Sequence, residues 1–173
     1  MTYMEIHRFE KAWLVASLVL IVAWIATVTY GAVGPGVAMI DDSGGTVENA
    51  ASPAESPNFR EPGVYAAEGE NHYDVYVQAQ QFLFQPGTSQ PIRVPAGSTV
   101  TLHVTSSDVV HGFQLPGTNV NTMAIPGQVA VATVRFEEPA EYDILCNEYC
   151  GAGHHTMTGR LVVVPPSEFE GGS

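Results

Sequence analysis

The stretch "STVTLHVTS", residues 98–106, indicates the fold class. Val100, Leu102 and Val104 alternate with threonines and with His103, and this period of two is typical of a strand with one buried face. The alternation predicts a half-buried β-strand. His103 falls on its polar face, where we expect a surface role rather than metal binding.

Short runs of the same type follow one another from about Tyr73 onward, and Pro and Gly separate them: "YDVYVQA", "PIRVPAG", "VAVATVRFEEPA", "EYDILC" and "RLVVVPP". Several short strands at this spacing predict an all-β Greek-key β-sandwich or barrel of about 100 residues. We place this domain at residues 72–166 and a C-terminal tail at residues 167–173.

The N-terminal part is apolar, with no charged residue from Ala12 to Ile40. Residues 12–33 would form a helix of roughly 33 Å, which spans a bilayer. A cleaved signal peptide would have a shorter apolar core and a small-residue cleavage site, so we expect a single retained transmembrane helix.

Basic residues predict the orientation of this helix in the cell membrane. Arg8 and Lys11 precede it, and the next basic residue is Arg60. Because Lys and Arg accumulate on the cytoplasmic side, residues 1–11 are expected inside and the C-terminal domain on the outer face.

Residues 34–71 are rich in Gly, Pro, Ser and acidic side chains without a sustained period, which predicts a linker.

The net charge of -12 lies in the outer part, since 16 acidic and 4 basic residues follow residue 31. This acidic surface could keep the protein soluble or could steer a basic partner. It could also be an adaptation to high salt, which the presence of a single lysine also suggests. We expect no nucleic-acid partner.

The stretch "CNEYCGAGHHTM" holds the only two cysteines of the chain, Cys146 and Cys150. It also holds three further soft or borderline donors, His154, His155 and Met157. A disulfide is compatible with an outer-face domain, although it would close a very small loop. Zinc could use two Cys and two His but leaves the methionine without a role. Copper uses all three donor types.

A blue-copper site needs two histidines, one cysteine and a weak methionine, and its first histidine comes from an earlier strand. His111 in "SSDVVHGFQLPG" is the candidate for that position. The additional cysteine suggests two coppers, with both thiolates bridging them.

The pattern C-x-E-x-C-G-x-x-H-x-x-M, with "VVHGF" upstream, resembles subunit II of the haem-copper oxidases, the cytochrome c oxidase subunit that carries the dinuclear copper A centre. The similarity runs from about Tyr73 to Val164 and implies a cupredoxin-like fold. By this resemblance Cys146 and Cys150 would bridge two coppers. The further ligands would be His111, His154, Met157 and the backbone carbonyl of Glu148, whereas His155 falls outside the pattern.

A single membrane helix resembles the B-type oxidases. Their anchor carries an acidic residue at the cytoplasmic mouth of a proton path, which makes Glu10 in "FEKAWLVASL" a candidate. A carboxylate at a helix start is also simply compatible with the helix dipole. In two-helix members the side chain equivalent to Glu148 helps bind magnesium at the interface with subunit I, and the resemblance leaves that site open here.

The resemblance implies an electron-entry subunit that accepts electrons from a soluble carrier, either a cytochrome c or a small blue-copper protein. It would pass them to haem in subunit I, with or without further small subunits, for oxygen reduction coupled to proton translocation. The chain would then be a non-catalytic subunit of an oxidoreductase embedded in membrane lipid.

The aromatic pair Phe82 and Phe84 in "QQFLFQPG" is the candidate docking surface for the donor, with packing in the core as the alternative.

Other proteins that share parts of the motif are the copper A subunit of a nitric oxide reductase and the electron-transfer domain of a nitrous oxide reductase. A membrane-anchored copper-binding or delivery protein is the alternative from a different class.

Overall fold

The computed structural model describes residues 7–33, 39–41 and 44–171. The chain divides into two compact units, Met1–Pro35 and Gly36–Ser173. The first contains a helix and the second contains the strands. Residues 1–6 of the predicted cytoplasmic N-terminus lie outside the described part.

Helix α1 spans Arg8–Val33. Within its segment Arg8–Gly31, an 18-residue window has a mean hydropathy of 2.2 and none of that window is buried, so the helix is long and apolar enough to cross a membrane. It starts earlier than the predicted residue 12 because the Glu10 carboxylate accepts a hydrogen bond from the His7 backbone N–H at 2.8 Å and so caps the first turn.

The second unit is all-β, as predicted, and eleven strands are described in it. They are β1 (Met39–Asp41), β2 (Gly63–Ala66), β3 (His72–Gln80), β4 (Leu83–Gln85), β5 (Ile92–Pro95), β6 (Ser98–Ser106), β7 (His111–Gln114), β8 (Asn121–Ala124), β9 (Ala130–Phe136), β10 (Ala140–Leu145) and β11 (Thr158–Val164).

The strands form two sheets that enclose one main core. The first sheet has the order β1-β9-β6-β3-β2, and β4 also pairs with β3; the second has the order β5-β11-β10-β7-β8. The pairs β3–β6 and β5–β11 are parallel. Apolar side chains from both sheets fill the space between them, which confirms the predicted sandwich.

Strand β6 covers the stretch that predicted the fold, and it lies between β3 and β9. Val100, Leu102 and Val104 are fully buried. His103 points to the other face, where its ring stacks on Tyr76 with 4.4 Å between the ring centroids. The alternation therefore predicted the strand and its buried face correctly.

The predicted linker differs from the structure. Strand β1 pairs with β9 and strand β2 pairs with β3, and Val47 and Phe59 are buried in a second hydrophobic cluster. The folded unit thus includes residues before 72. Val47 and Phe59 are isolated apolar residues in segments without regular secondary structure, so the sequence shows no hydrophobic periodicity there. Residues 34–38 and 42–43 lie outside the described part.

The predicted C-terminal tail also contacts the β unit where it is described. The ring of Phe169 packs edge-on against the ring of Tyr73, with 5.2 Å between their centroids. A short 3-10 helix, Pro166–Glu168, precedes it. Residues 172 and 173 lie outside the described part.

Candidate metal centre

The β10–β11 hairpin carries most of the predicted ligands in its loop. The two strands pair in antiparallel fashion up to Leu145 and Thr158. This pairing brings the first and last ligand residues together, so that the Cys146 N–H donates to the Met157 carbonyl at 3.3 Å. We call residues 146–157 the ligand loop.

The two cysteines lie side by side as free thiols. Their sulfur atoms are 3.7 Å apart, whereas a disulfide bond is about 2.05 Å long. Both side chains are buried. The structure therefore has a thiol pair at this position and not the disulfide considered above.

Histidine and methionine side chains approach the thiol pair from different sides. His111, the first residue of β7, has its Nδ1 atom 3.2 Å from Met157 Sδ and 3.9 Å from Cys146 Sγ. The Nδ1 atom of His154 lies 3.6 Å from Cys150 Sγ. Cys150 Sγ is also 3.7 Å from Met157 Sδ.

The main chain of Glu148 lies close to the thiol pair. Its carbonyl oxygen lies 3.2 Å from Cys146 Sγ, while its side chain is exposed. In the described part of the chain, the one cluster of three or more potential metal-binding side chains is His111, Cys146 and Cys150. The magnesium prediction for the Glu148 carboxylate therefore gains no support.

The donor set fits copper. Two sulfur atoms from thiols, one thioether and two imidazole nitrogens converge here, and soft or borderline donors of this kind select copper over magnesium or calcium. Burial and the neighbouring Cys146 raise the pKa of the Cys150 thiol to about 11. A pair of thiolates at this distance needs a cation to stabilise it.

Asp108 is a neighbour of the candidate site that the sequence analysis missed. Its Oδ1 atom accepts a hydrogen bond from His111 Nε2 at 2.8 Å. Burial opposes its charge, but hydrogen bonds from His111 and from the Gln81 and Val109 backbone N–H groups lower the pKa of this carboxyl. The sequence signal that could have identified Asp108 is its position, a carboxylate three residues before a predicted metal-binding histidine.

The turn between β3 and β4 packs against the ligand loop. Gln81 donates from its side-chain amide to the Cys150 carbonyl. The ring of Phe82 lies beside Gly153, where an added Cβ atom would come within 2.6 Å of Phe82 Cδ2. Contacts between such distant segments leave no pattern in the sequence.

Phe84 is not part of a docking surface. It is only 1% exposed and packs edge-on against Phe113, with 5.5 Å between the ring centroids. The prediction was wrong for this residue because Phe84 lies on β4 facing the core. Phe82 precedes that strand in a turn and is half-buried.

Gly112 allows β7 to approach the ligand loop closely. A Cβ atom at this position would overlap Asn147 Oδ1 and would lie 2.8 Å from the Glu148 backbone nitrogen. Asn147 also donates from its side chain to Asn121 Oδ1 of β8 at 2.9 Å. The glycine thus sets the distance between two ligand-bearing segments.

The remaining candidate residues lie outside this cluster. His155 is exposed, although its neighbour His154 faces the thiols. Glu10 belongs to the helical unit, where it caps the first turn.

Exposed apolar side chains border the ligand-bearing segments of the β unit. They are Val109, Val110, Met123 and Tyr149, of which Tyr149 is 79% exposed. The Tyr149 ring lies 5.8 Å from the His154 ring, measured between centroids. An exposed aromatic side chain thus lies next to one of the predicted histidine ligands.

Sequence comparisons identify similar proteins over most of the chain. The family model of the cytochrome c oxidase subunit II periplasmic domain matches residues 66–164. A cytochrome c oxidase subunit 2 of Thermus thermophilus is 37% identical over 165 residues, which cover 91% of this chain and 93% of that protein. Another from the same species is 47% identical over 95 residues, which cover 55% of this chain and 68% of that protein.

Solved structures show the same relationship. A chain of a heme-copper terminal oxidase dimer, determined by cryo-EM, aligns with a TM-score of 0.63 and 34% identity, covering 91% of this chain and 100% of that chain. The periplasmic domain of subunit II of cytochrome oxidase (CoxB) from Bradyrhizobium japonicum aligns with a TM-score of 0.52 and 23% identity, covering 56% of this chain and 86% of that one. This second likeness concerns the fold.

Proposed function

Because the chain belongs to the cytochrome c oxidase subunit II family, we propose that its β unit holds a dinuclear copper A centre through which electrons enter a terminal oxidase. The chain is a subunit of an oxidoreductase complex, and its β unit has the cupredoxin-like fold. One observation carries the proposal. The two free thiols lie 3.7 Å apart, and each has its own further donors.

The donors divide into two sets around the thiol pair. His111 Nδ1 and Met157 Sδ are 3.2 Å apart, so we assign them to one copper. His154 and the Glu148 carbonyl would then hold the other copper. Cys146 and Cys150 would hold both ions between them.

The residues around the thiol pair keep the site rigid and dry. The bound copper pair supplies one-electron redox chemistry, which is efficient when bond lengths change little. His111, Cys146, Cys150 and Met157 are buried, which excludes water from most of the donor set. The Asp108 carboxylate holds the His111 ring in one orientation and leaves Nδ1 free to bind metal.

A soluble donor docks beside His154 in this proposal. The exposed apolar side chains of Tyr149, Val109, Val110 and Met123 form the contact surface, in place of the Phe82 and Phe84 pair. Apolar contact surfaces surrounded by polar residues are typical of transient interfaces. Replacing Tyr149 with Ser should slow electron entry from the donor without altering the copper spectrum, and an unchanged rate would remove this surface from the proposal.

Membership of the family implies association with subunit I, which would contain the haem groups and reduce oxygen. The N-terminal helix would anchor the chain, with Arg8 and Lys11 on the cytoplasmic side and the β unit on the outer face. The role of Glu10 in a proton path stays a prediction, because its capping of the helix explains its position equally well.

Metal analysis of the purified full chain tests the proposed function. We expect two coppers per chain and a seven-line mixed-valence EPR signal. Cys146→Ser and Cys150→Ser should each abolish that signal, whereas His155→Ala, the matched control at an exposed histidine, should retain it. A content of one copper or none in the unaltered chain would contradict the proposal.

A further inference from the structure

We propose that Gln81 is a positioning residue for the copper centre, because its main chain and its side chain join the two segments that carry the ligands. One segment is β7 with His111, and the other is the ligand loop with Cys150. Gln81 itself comes from a third segment, the turn between β3 and β4. This inference rests on the proposed copper site.

The first connection runs from the Gln81 backbone to His111. The Gln81 N–H donates to Asp108 Oδ2 at 2.8 Å, and Asp108 Oδ1 accepts from His111 Nε2 at 2.8 Å. Both carboxylate oxygens are thereby fixed. Because Nε2 is held, the opposite ring nitrogen Nδ1 is directed at the sulfur atoms of Met157 and Cys146.

The second connection runs from the Gln81 side chain to the ligand loop. Its amide Nε2 donates to the Cys150 carbonyl, next to the thiol that faces His154. The same Gln81 nitrogen also lies close to the following residue, since a Cβ atom on Gly151 would come within 2.7 Å of it. The amide therefore lies directly against the loop backbone.

Sheet pairing alone holds these two segments together only weakly. Strands β7 and β10 share a single paired position, Leu145 with Gln114. In contrast, β10 and β11 pair over six positions. The two Gln81 connections add a second attachment between His111 and Cys150, and this attachment sets the spacing between a histidine ligand and a bridging cysteine.

The test uses the full chain in detergent with Gln81→Met. This variant keeps the backbone N–H and the side-chain length but removes the amide donor. We expect copper affinity, measured by competition with a chelator, to fall roughly 10- to 100-fold. We also expect changed copper hyperfine splitting in the EPR spectrum and an unchanged melting temperature of the metal-free protein.

Two further variants separate positioning from general effects of substitution. Gln80→Met makes the same chemical change one residue away and should bind copper like the unaltered chain. Gln81→Lys, which restores an N–H donor at the end of the side chain, should recover most of the affinity. Equal copper affinity of Gln81→Met and the unaltered chain would overturn this inference alone, whereas a failure of the unaltered chain to bind copper would overturn the proposed function as well.

Discussion

The Asp108 carboxylate links the His111 ring to neighbouring backbone groups at the candidate metal centre. It accepts hydrogen bonds from the His111 ring and from the Gln81 and Val109 backbone N–H groups. Three donors on one partly exposed carboxylate keep it ionised and immobile. The orientation of His111 therefore depends on a residue that binds no metal itself.

Asp108→Asn should weaken copper binding by roughly 10- to 100-fold. The asparagine side chain has one acceptor oxygen in place of two, so the His111 ring and the Gln81 N–H compete for it. Chelator competition measures the loss. Asp143→Asn, at an exposed position on β10, is the control and should bind copper normally. Equal affinities of the two variants would contradict the role of Asp108.

Tyr76 should make the stability of the β unit depend on pH in alkaline solution. Burial first, and then the Asp74 charge, raise the pKa of Tyr76 above its ordinary value of 10.0. Below about pH 10 the phenol is neutral in both the folded and the unfolded protein, so its ionisation does not reduce the free energy of unfolding. As the pH rises, the unfolded chain ionises first, so stability falls until the folded pKa is passed.

The matched variant is Tyr76→Phe, which keeps the ring and removes the titrating group. The free energy of unfolding of the unaltered protein should fall relative to that of Tyr76→Phe between about pH 9 and about pH 11. Denaturant unfolding at several pH values measures this difference. Parallel pH profiles of the two proteins would show that Tyr76 ionises equally in both states.

At the scale of secondary-structure elements, strands with a periodic sequence could be predicted, whereas contacts between segments distant in sequence could not. Alternation predicted β6 and its buried face, and the spacing of soft donors predicted the ligand loop. Phe84 was misjudged because the strand that buries it, β4, has only three residues and thus no period to count. Gln81 and Gly112 act through contacts with segments far away along the chain.

Gly112→Ala should disturb the ligand loop without preventing the sandwich from folding. The added Cβ atom would lie 2.7 Å from the Asn147 backbone nitrogen and 2.8 Å from that of Glu148, so the loop backbone must shift. We expect a loss of copper affinity of roughly tenfold or more, measured by chelator competition. Gly63→Ala is the control, because its Cβ atom would meet Tyr65 at an ordinary 3.4 Å. Normal copper binding by Gly112→Ala would contradict the close-approach argument.

At the scale of the whole molecule, the sequence predicted two parts, an apolar N-terminal helix and a β-sandwich. The structure describes each of them. The boundary of the sandwich was placed too late because residues 44–66 have the composition of a linker. Their few apolar side chains nevertheless pack on the outer face of the first sheet, together with Tyr76 and Val131.

Phe59 provides the sharpest test that this segment belongs to the folded unit. Its side chain is 1% exposed and packs edge-on against Tyr76, with 5.3 Å between the ring centroids. Phe59→Ala should therefore lower the free energy of unfolding by about 3–5 kcal/mol, measured with denaturant on the metal-free chain. Glu55→Ala, at an exposed position of the same segment, should change it by less than about 0.5 kcal/mol. A true linker would tolerate both substitutions equally, so similar small effects would restore the boundary at residue 72.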